Sequence, residues 1–372
     1  MRRASPKLGI VLVVLLGALS AASSLRAAEL PGRISDEAFW KMVSDFSEPN
    51  GYFRFENFLS NELAYQSVIP ALKENTKPGG VYLGVGPEQN FTYLAALEPK
   101  IAFIIDIRRQ NLLEHMMYKA LFELSRDRAE FLSLLYSRPR PANVNSDSTS
   151  DALFDAYWDL PFSTGRADNT LQDIMEVLLN EHKFPLSIED QATIGYIYKV
   201  FVDDGPALDF SLGGSSGAPG TPNYADLMVA TDDAGRKRSF LATEQNFRFV
   251  QEMHRKNLIV PLVGDFSGPK ALLAVGQYLK EHDATVTAFY TSNVEQYLFQ
   301  SNRSWRRFYT NVSELPMDAS STFIRSVNGA ASTRARRATN RFDSVLSSMM
   351  ETVKAFQDGG IRYYFDVIGM SY

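Results

Sequence analysis

At 372 residues, with 45% apolar and 12% aromatic content, the chain is long enough for one large α/β domain carrying a sizeable insertion. Its formal net charge of −5 excludes a general nucleic-acid binder. The lack of cysteine excludes disulfides, a thiol nucleophile and cysteine-bound metal clusters. The four histidines form no pair at ligand spacing, so no metal is expected.

Residues 1–28 read as an export signal peptide. Arg2, Arg3 and Lys7 precede an apolar run from Leu8 to Ala22, which has signal-peptide length and is short for a membrane span. The expected address is periplasmic or secreted, with no membrane span beyond that segment; an uncleaved anchor is the alternative. Residues 29–77 should hold two helices, one over 35–45 with Ser35 as its cap and one over 61–74. Lys77-Pro78-Gly79-Gly80 then turns the chain into a strand.

That strand is the most informative stretch. Val81-Tyr82-Leu83 runs into Gly84-Val85-Gly86-Pro87-Glu88, and a second apolar strand, starting at Ile101, ends on Asp106, about 22 residues after Gly84. A glycine turn between strand and helix lets the backbone approach a ligand and presents helix N–H groups to it. A carboxylate at that separation suits ribose hydroxyls.

Residues 109–138 should be helical, with Leu112, Leu113, Met116, Met117, Leu121 and Leu124 as a core stripe. A linker over 138–150, two or three helices within 151–200, a Gly/Ser/Pro loop over 205–222 and a helix over 243–256 follow. Strand and helix then alternate: strands over 258–265, 284–290 and 322–327, with helices over 269–281 and 294–299 between them. A helix over 341–356 and a last strand over 361–367 close the chain. The whole predicts an α/β fold: a Rossmann-type doubly wound sheet over 78–372, interrupted by a mostly helical insertion at about 110–256. Ligands in such sheets sit at strand carboxyl ends, here Gly84 and Gly86, Asp106, Gly264 and Asp265, and Thr291, Ser292 and Asn293.

The segment 81–110 and, more loosely, 257–300 resemble class I S-adenosylmethionine-dependent methyltransferases, within a family of exported bacterial proteins. The resemblance implies S-adenosylmethionine as cofactor, with Gly84 and Gly86 forming the turn that cradles its methionine part and Asp106 holding the ribose. It also places Asp265 near the substrate side, where it would act as a base or as a hydrogen-bond acceptor for substrate, with Ser292 and Asn293 binding the acceptor. Two positions depart from the pattern: Tyr82 stands where an acid is usual, and Glu88 where a third glycine is usual. A carboxylate at Glu88 would crowd the cofactor's own carboxylate or pair with its amino group. The alternative function is a non-catalytic cell-envelope binding or structural protein with a degenerate pocket.

Other motifs have plainer readings beside the functional ones. Asp265 also suits a helix cap or a turn, and Ser292 or Asn293 a helix cap. Glu295 suits a helix's first turn. His115 reads either as a general base facing the cleft or as a buried boundary residue. Arg108 and Arg109 are placed to meet a phosphate. Tyr157 and Trp158 either edge the pocket or pack as core. Gly213-Gly214-Ser215-Ser216-Gly217 has the letters of a nucleophile elbow, but prolines after it forbid the helix such an elbow needs, so it reads as a loop. Asp232-Asp233-Ala234-Gly235 reads as a hairpin turn, and Arg334-Ala335-Arg336-Arg337 as a solvated helix face.

Overall fold

Four-to-seven-residue apolar runs buried on both faces are the signature of a parallel sheet covered by helices, and the computed structural model is built around one. It describes residues 28–210, 221–328 and 342–372. Residues 1–27 of the expected export signal, the serine-glycine loop and the Arg334–337 run lie outside them.

Six strands, β1 (Val81–Gly84), β2 (Ile101–Asp106), β3 (Ile259–Val263), β4 (Val286–Ser292), β5 (Met317–Asn328) and β6 (Phe342–Ser348), form one sheet in the order β3-β2-β1-β4-β5-β6. The first five are parallel; β6 runs antiparallel against β5. Both α/β blocks therefore join in a single sheet, as expected. The chain builds outward from β1 to β3 on one side, then returns to β4 on the other. The strand order thus reverses between β1 and β4, where a crevice opens at the carboxyl ends.

Two N-terminal helices, α1 (Asp36–Phe46) and α2 (Ile69–Asn75), precede the sheet. Ser35 caps α1 as predicted, its Oγ accepting from the Ala38 amide at 3.2 Å. The second helix is shorter than expected. Residues 57–64 form an irregular strap, and a 3-10 turn at Tyr65–Val68 leads into α2. Helix α3 (Gln89–Leu97) links β1 to β2.

Among the described residues seven helices separate β2 from β3: α4 (Arg109–Leu124), α5 (Arg128–Leu135), α6 (Ser150–Trp158), α7 (Thr164–Met175), α8 (Ile188–Asp204), α9 (Tyr224–Val229) and α10 (Glu244–Arg255). The single helix expected over 109–138 is broken at Ser125, whose hydroxyl donates to the Leu121 carbonyl at 2.5 Å. Asp127 then caps α5 by accepting from the Glu130 amide at 2.8 Å. The Asp232 turn is a hairpin as predicted, closed by an antiparallel bridge between Thr231 and Lys237.

Helix α11 (Ala271–Glu281) links β3 to β4, and α12 (Val294–Leu298) and α13 (Asn302–Ser313) link β4 to β5. Helices α14 (Met349–Gln357) and α15 (Tyr364–Ile368) follow β6. Two sequence expectations are corrected here. Residues 342–348 pair with β5 as a strand, not as the start of a helix, because Ser348 ends the strand and caps α14 in the same step. Residues 364–368 are helical, not extended, because Asp366 accepts from the Arg362 and Tyr363 amides at 2.8 Å each and starts a turn.

Candidate functional site

The glycine turn after β1 is held from behind. Asn90, in the first turn of α3, donates its Nδ2 to the carbonyls of Val85, Gly86 and Pro87 at 3.0, 3.1 and 2.7 Å. Its Oδ1 accepts from the Tyr82 hydroxyl at 2.9 Å. A Cβ on Gly84 would lie 2.0 Å from that Oδ1, so Gly84 is required by the close approach of Asn90. Gly86 has φ +76°, a conformation side chains resist, and a Cβ built there meets nothing within 4 Å. The turn therefore presents its open side, at Gly86, to empty space, while Tyr82 serves as its internal brace.

A cleft of about 360 Å³ opens there, at the lower end of the range for small-molecule sites. It brings together Gly86 after β1, Asp106 at the end of β2, Asp265 after β3, and Ser292 and Asn293 after β4. These are five of the seven residues singled out from the sequence. Gly84 lies behind the turn, and Glu88 is turned away from the cleft into the protein.

Asp106 is almost fully buried. Its Oδ1 accepts from the Arg108 amide at 2.9 Å and lies 3.9 Å from the Arg108 Nε. Burial pushes its carboxyl above the ordinary aspartate range, against the Arg108 guanidinium and the Arg108 and Gly86 amides. Asp265 closes a turn, its Oδ1 accepting from the Ser267 amide and hydroxyl at 2.8 and 2.9 Å, and still lines the cleft. It does not cap α11. That task falls to Glu48, which accepts from the Asp265, Lys270 and Ala271 amides at 3.2, 2.8 and 2.9 Å.

Ser292 has φ +49°, a strained conformation for a residue with a Cβ, and its hydroxyl donates to Glu62 at 2.5 Å. Asn293 occupies the cap position of α12 without making a side-chain cap bond, so neither residue caps the helix. Glu295 lies in the first turn of α12 and forms a buried ion pair with Arg325.

The strap supplies a site residue that sequence reasoning missed. Glu62 is buried on the cleft wall, accepting from the Tyr290 hydroxyl at 2.8 Å and Gln89 Nε2 at 3.0 Å as well as from Ser292. Burial raises its carboxyl, while the Ser292, Gln89 and Tyr290 donors pull it back. The helix expected over 61–74 carries no signal that singles out Glu62. Aromatic residues Phe53, Phe55, Phe210 and Tyr297 stand around the mouth of the cleft, with Arg54 the one basic residue among the described residues lining it.

The remaining expectations resolve as structure. His115 is buried away from the cleft, and its Nε2–H donates to the Gly86 carbonyl at 2.9 Å; burial lowers its pKa to about 4, so it is a neutral brace of the turn. Arg109 is committed to Asp190 of α8 through two bonds of 2.6 and 2.8 Å, and Arg108 to Gln110 at 2.7 Å and to the Glu56 carbonyl. Neither guanidinium lines the cleft. Tyr157 is core, and Trp158 is surface.

Glu88 is fully buried beneath the turn. Its Oε1 accepts from the Ser60 amide at 3.3 Å, its Oε2 has no partner, and burial raises its pKa to about 8. It is therefore a neutral acid at neutral pH and neither crowds nor pairs with anything in the cleft. Among the described residues no group of three or more His, Asp or Glu is arranged to hold a metal ion, and no helix is long and apolar enough to cross a membrane.

The strap, the turn and the strand ends all fall within the match of one family model, described as a domain of unknown function (DUF7790), which covers residues 57–147 and 206–363, more than half of the chain. The chain belongs to that family. The DUF7790 match takes in Glu62, Asp106, Asp265 and Ser292 and is interrupted over 148–205, where α6, α7 and α8 lie. No curated protein matches the sequence.

Proposed function

We propose that the cleft binds a nucleoside cofactor of the S-adenosylmethionine type and that the protein is an exported methyltransferase-like enzyme. The observation that carries this reading is the charge and place of the cleft. It lies at the reversal of strand order and is lined by Glu62, Asp106 and Asp265, against the single rim cation Arg54. A dinucleotide would bring a pyrophosphate to a wall where, among the described residues, Arg54 alone stands to meet it, because Arg108 and Arg109 are already committed. A sulfonium ligand carries positive charge and suits that wall.

The residues fit such a group: Asp106 would accept the ribose hydroxyls, and the open side of Gly86 leaves room for the methionine part. When bound, the cofactor supplies an electrophilic methyl group. The chain's own contribution is placement of the acceptor between the ends of β3 and β4 by Asp265, Ser292 and Asn293. Glu62, held by three donors, is positioned to take a proton from it.

A second reading, a non-catalytic envelope protein holding another polar ligand, draws support from the turn itself, since Asn90 accounts for Gly84 without any cofactor. Calorimetry with S-adenosylmethionine, S-adenosylhomocysteine and NAD separates the two. The enzyme reading expects the two sulfur nucleosides to bind at least tenfold more tightly than NAD; no binding of either at millimolar concentration favours the second.

A further inference from the structure

The aromatic residues at the mouth of the cleft come from three separate parts of the chain. Phe53 and Phe55 lie just before the strap, Phe210 follows α8, and Tyr297 belongs to α12. Contacts join all four into one run. Phe210 meets Phe55 with ring centroids 5.7 Å apart, Phe55 meets Phe53 at 5.8 Å, and Phe53 meets Tyr297 at 5.3 Å. Their planes are inclined by 53°, 66° and 84°, so the rings do not stack flat and their faces turn in different directions. All four line the cleft, and none is buried.

The same cleft holds carboxyl groups without a counter-ion. Glu62 is buried and accepts only from neutral donors on Ser292, Tyr290 and Gln89. Asp265 accepts from the amide and hydroxyl of Ser267. Among the described residues neither acid forms an ion pair, whereas Asp106 has the Arg108 Nε 3.9 Å away. A buried carboxylate is costly to ionise without a positive partner. Asn57 adds a buried Oδ1 acceptor that has no partner. Against the three acids, the described lining offers the single base Arg54. Its guanidinium lies 4.5 Å from the Phe55 ring centroid, so one rim ring already engages a cation.

We propose that the mouth of the cleft is a subsite for an organic ammonium ion. The ring faces attract the ion's spread charge and cover its carbon groups, and Glu62 and Asp265 supply the counter-charge. A cation beside Glu62 also favours the ionised form that burial opposes. A neutral apolar ligand would suit the rings and leave both carboxyls unmatched. An inorganic cation would suit the carboxyls and make no use of the rings. An organic cation answers to both. The proposal deepens the reading of the cleft by naming the class of its second ligand, and only the presence of a first, the nucleoside, rests on that reading.

The test is calorimetric titration of choline, and of its uncharged tert-butyl isostere, into the protein with no nucleoside present. Two variants are compared with the wild type. Phe53→Leu combined with Tyr297→Leu keeps apolar bulk and removes two ring faces; Asp265→Asn keeps an acceptor for Ser267 and removes the charge. Choline binding at least tenfold tighter than the isostere, and weakened at least fivefold in each variant, supports the proposal. Absence of choline binding at millimolar concentration, equal binding of the isostere, or binding unchanged in either variant overturns it. Urea unfolding checks that each variant is folded, and if the leucine pair is not, Asp265→Asn and the isostere decide the matter. Repeating the choline titration at saturating S-adenosylhomocysteine keeps the two readings apart. Choline binding retained there supports a separate subsite, and choline binding abolished puts the cation in the nucleoside's own place and overturns it. Choline binding without any S-adenosylhomocysteine binding defeats the nucleoside reading and supports the ammonium site on its own.

Discussion

Replacing Glu88 with Gln should make the protein's stability less sensitive to alkali. Glu88 is fully buried with one oxygen unpartnered, and its pKa rises from 4.5 to about 8 on folding. Below 4.5 the group is protonated in both states. Between 4.5 and about 8 the unfolded chain releases the proton while the folded one keeps it, so stability falls as pH rises. Above about 8 the loss levels off. At ~1.4 kcal/mol per pH unit, the span makes the loss on the order of 5 kcal/mol. Glutamine keeps the acceptor for the Ser60 amide and cannot ionise. Urea unfolding of both chains at about pH 5 and about pH 8.5 should show the gap between them shifting in favour of Glu88→Gln by roughly 4 kcal/mol. Stability curves that run parallel across this range would refute the burial of a neutral Glu88, and with it the argument that this residue leaves the cleft free.

The two glycines of the turn should fail for different reasons. Gly84→Ala drives a methyl into Asn90 and should cost about 2–3 kcal/mol by thermal or urea unfolding, whereas Gly86→Ala meets only backbone strain and should cost about 1–2 kcal/mol. Equal losses would contradict the separate roles. His182 joins three parts of the molecule, its Nε2 2.7 Å from Glu123 and its Nδ1 2.9 Å from Asp36. Burial opposes its charged form, but the Glu123 and Asp36 carboxylates win and raise its pKa, while theirs are lowered. The His182 contribution is full below its unfolded value of 6.5 and is lost as pH rises through the folded value. The carboxylates' contribution is present above their unfolded values of 4.5 and 3.8 and is lost as pH falls through the folded ones. His182→Gln should therefore lose about 1 kcal/mol near pH 5.5 and progressively less above neutrality; a loss that is constant with pH would contradict the ion pairs.

The sheet was legible because its central strands are short apolar runs with glycine or aspartate at their ends, and those ends are what gather into the cleft. The C-terminal segments were not, since strand β6 passes into α14 at a single serine, leaving no turn signal between the two periods. Helix α13 was overlooked although Trp305, Phe308, Tyr309 and Val312 repeat at helical spacing and are all buried. Of the site, Asp106 and Asp265 were readable from position alone. The roles of His115 and Glu48 were not, because each acts across the fold on a backbone group that sequence spacing does not connect to it; Asn90 is local to the turn, but nothing in its residue type singles it out from the helix around it. Glu62 was hidden for the same reason, since its partners Tyr290 and Ser292 are contributed by a strand more than half the chain away.

The claim on which the functional account turns is that Asp106 faces a nucleoside. Titrating S-adenosylhomocysteine into the wild-type chain and into Asp106→Ala tests it directly. The account predicts measurable binding to the wild type and at least a tenfold loss in the variant, the scale of a lost hydrogen bond to a charged acceptor. Binding of equal strength to both chains, or none to the wild type at millimolar ligand, would contradict it.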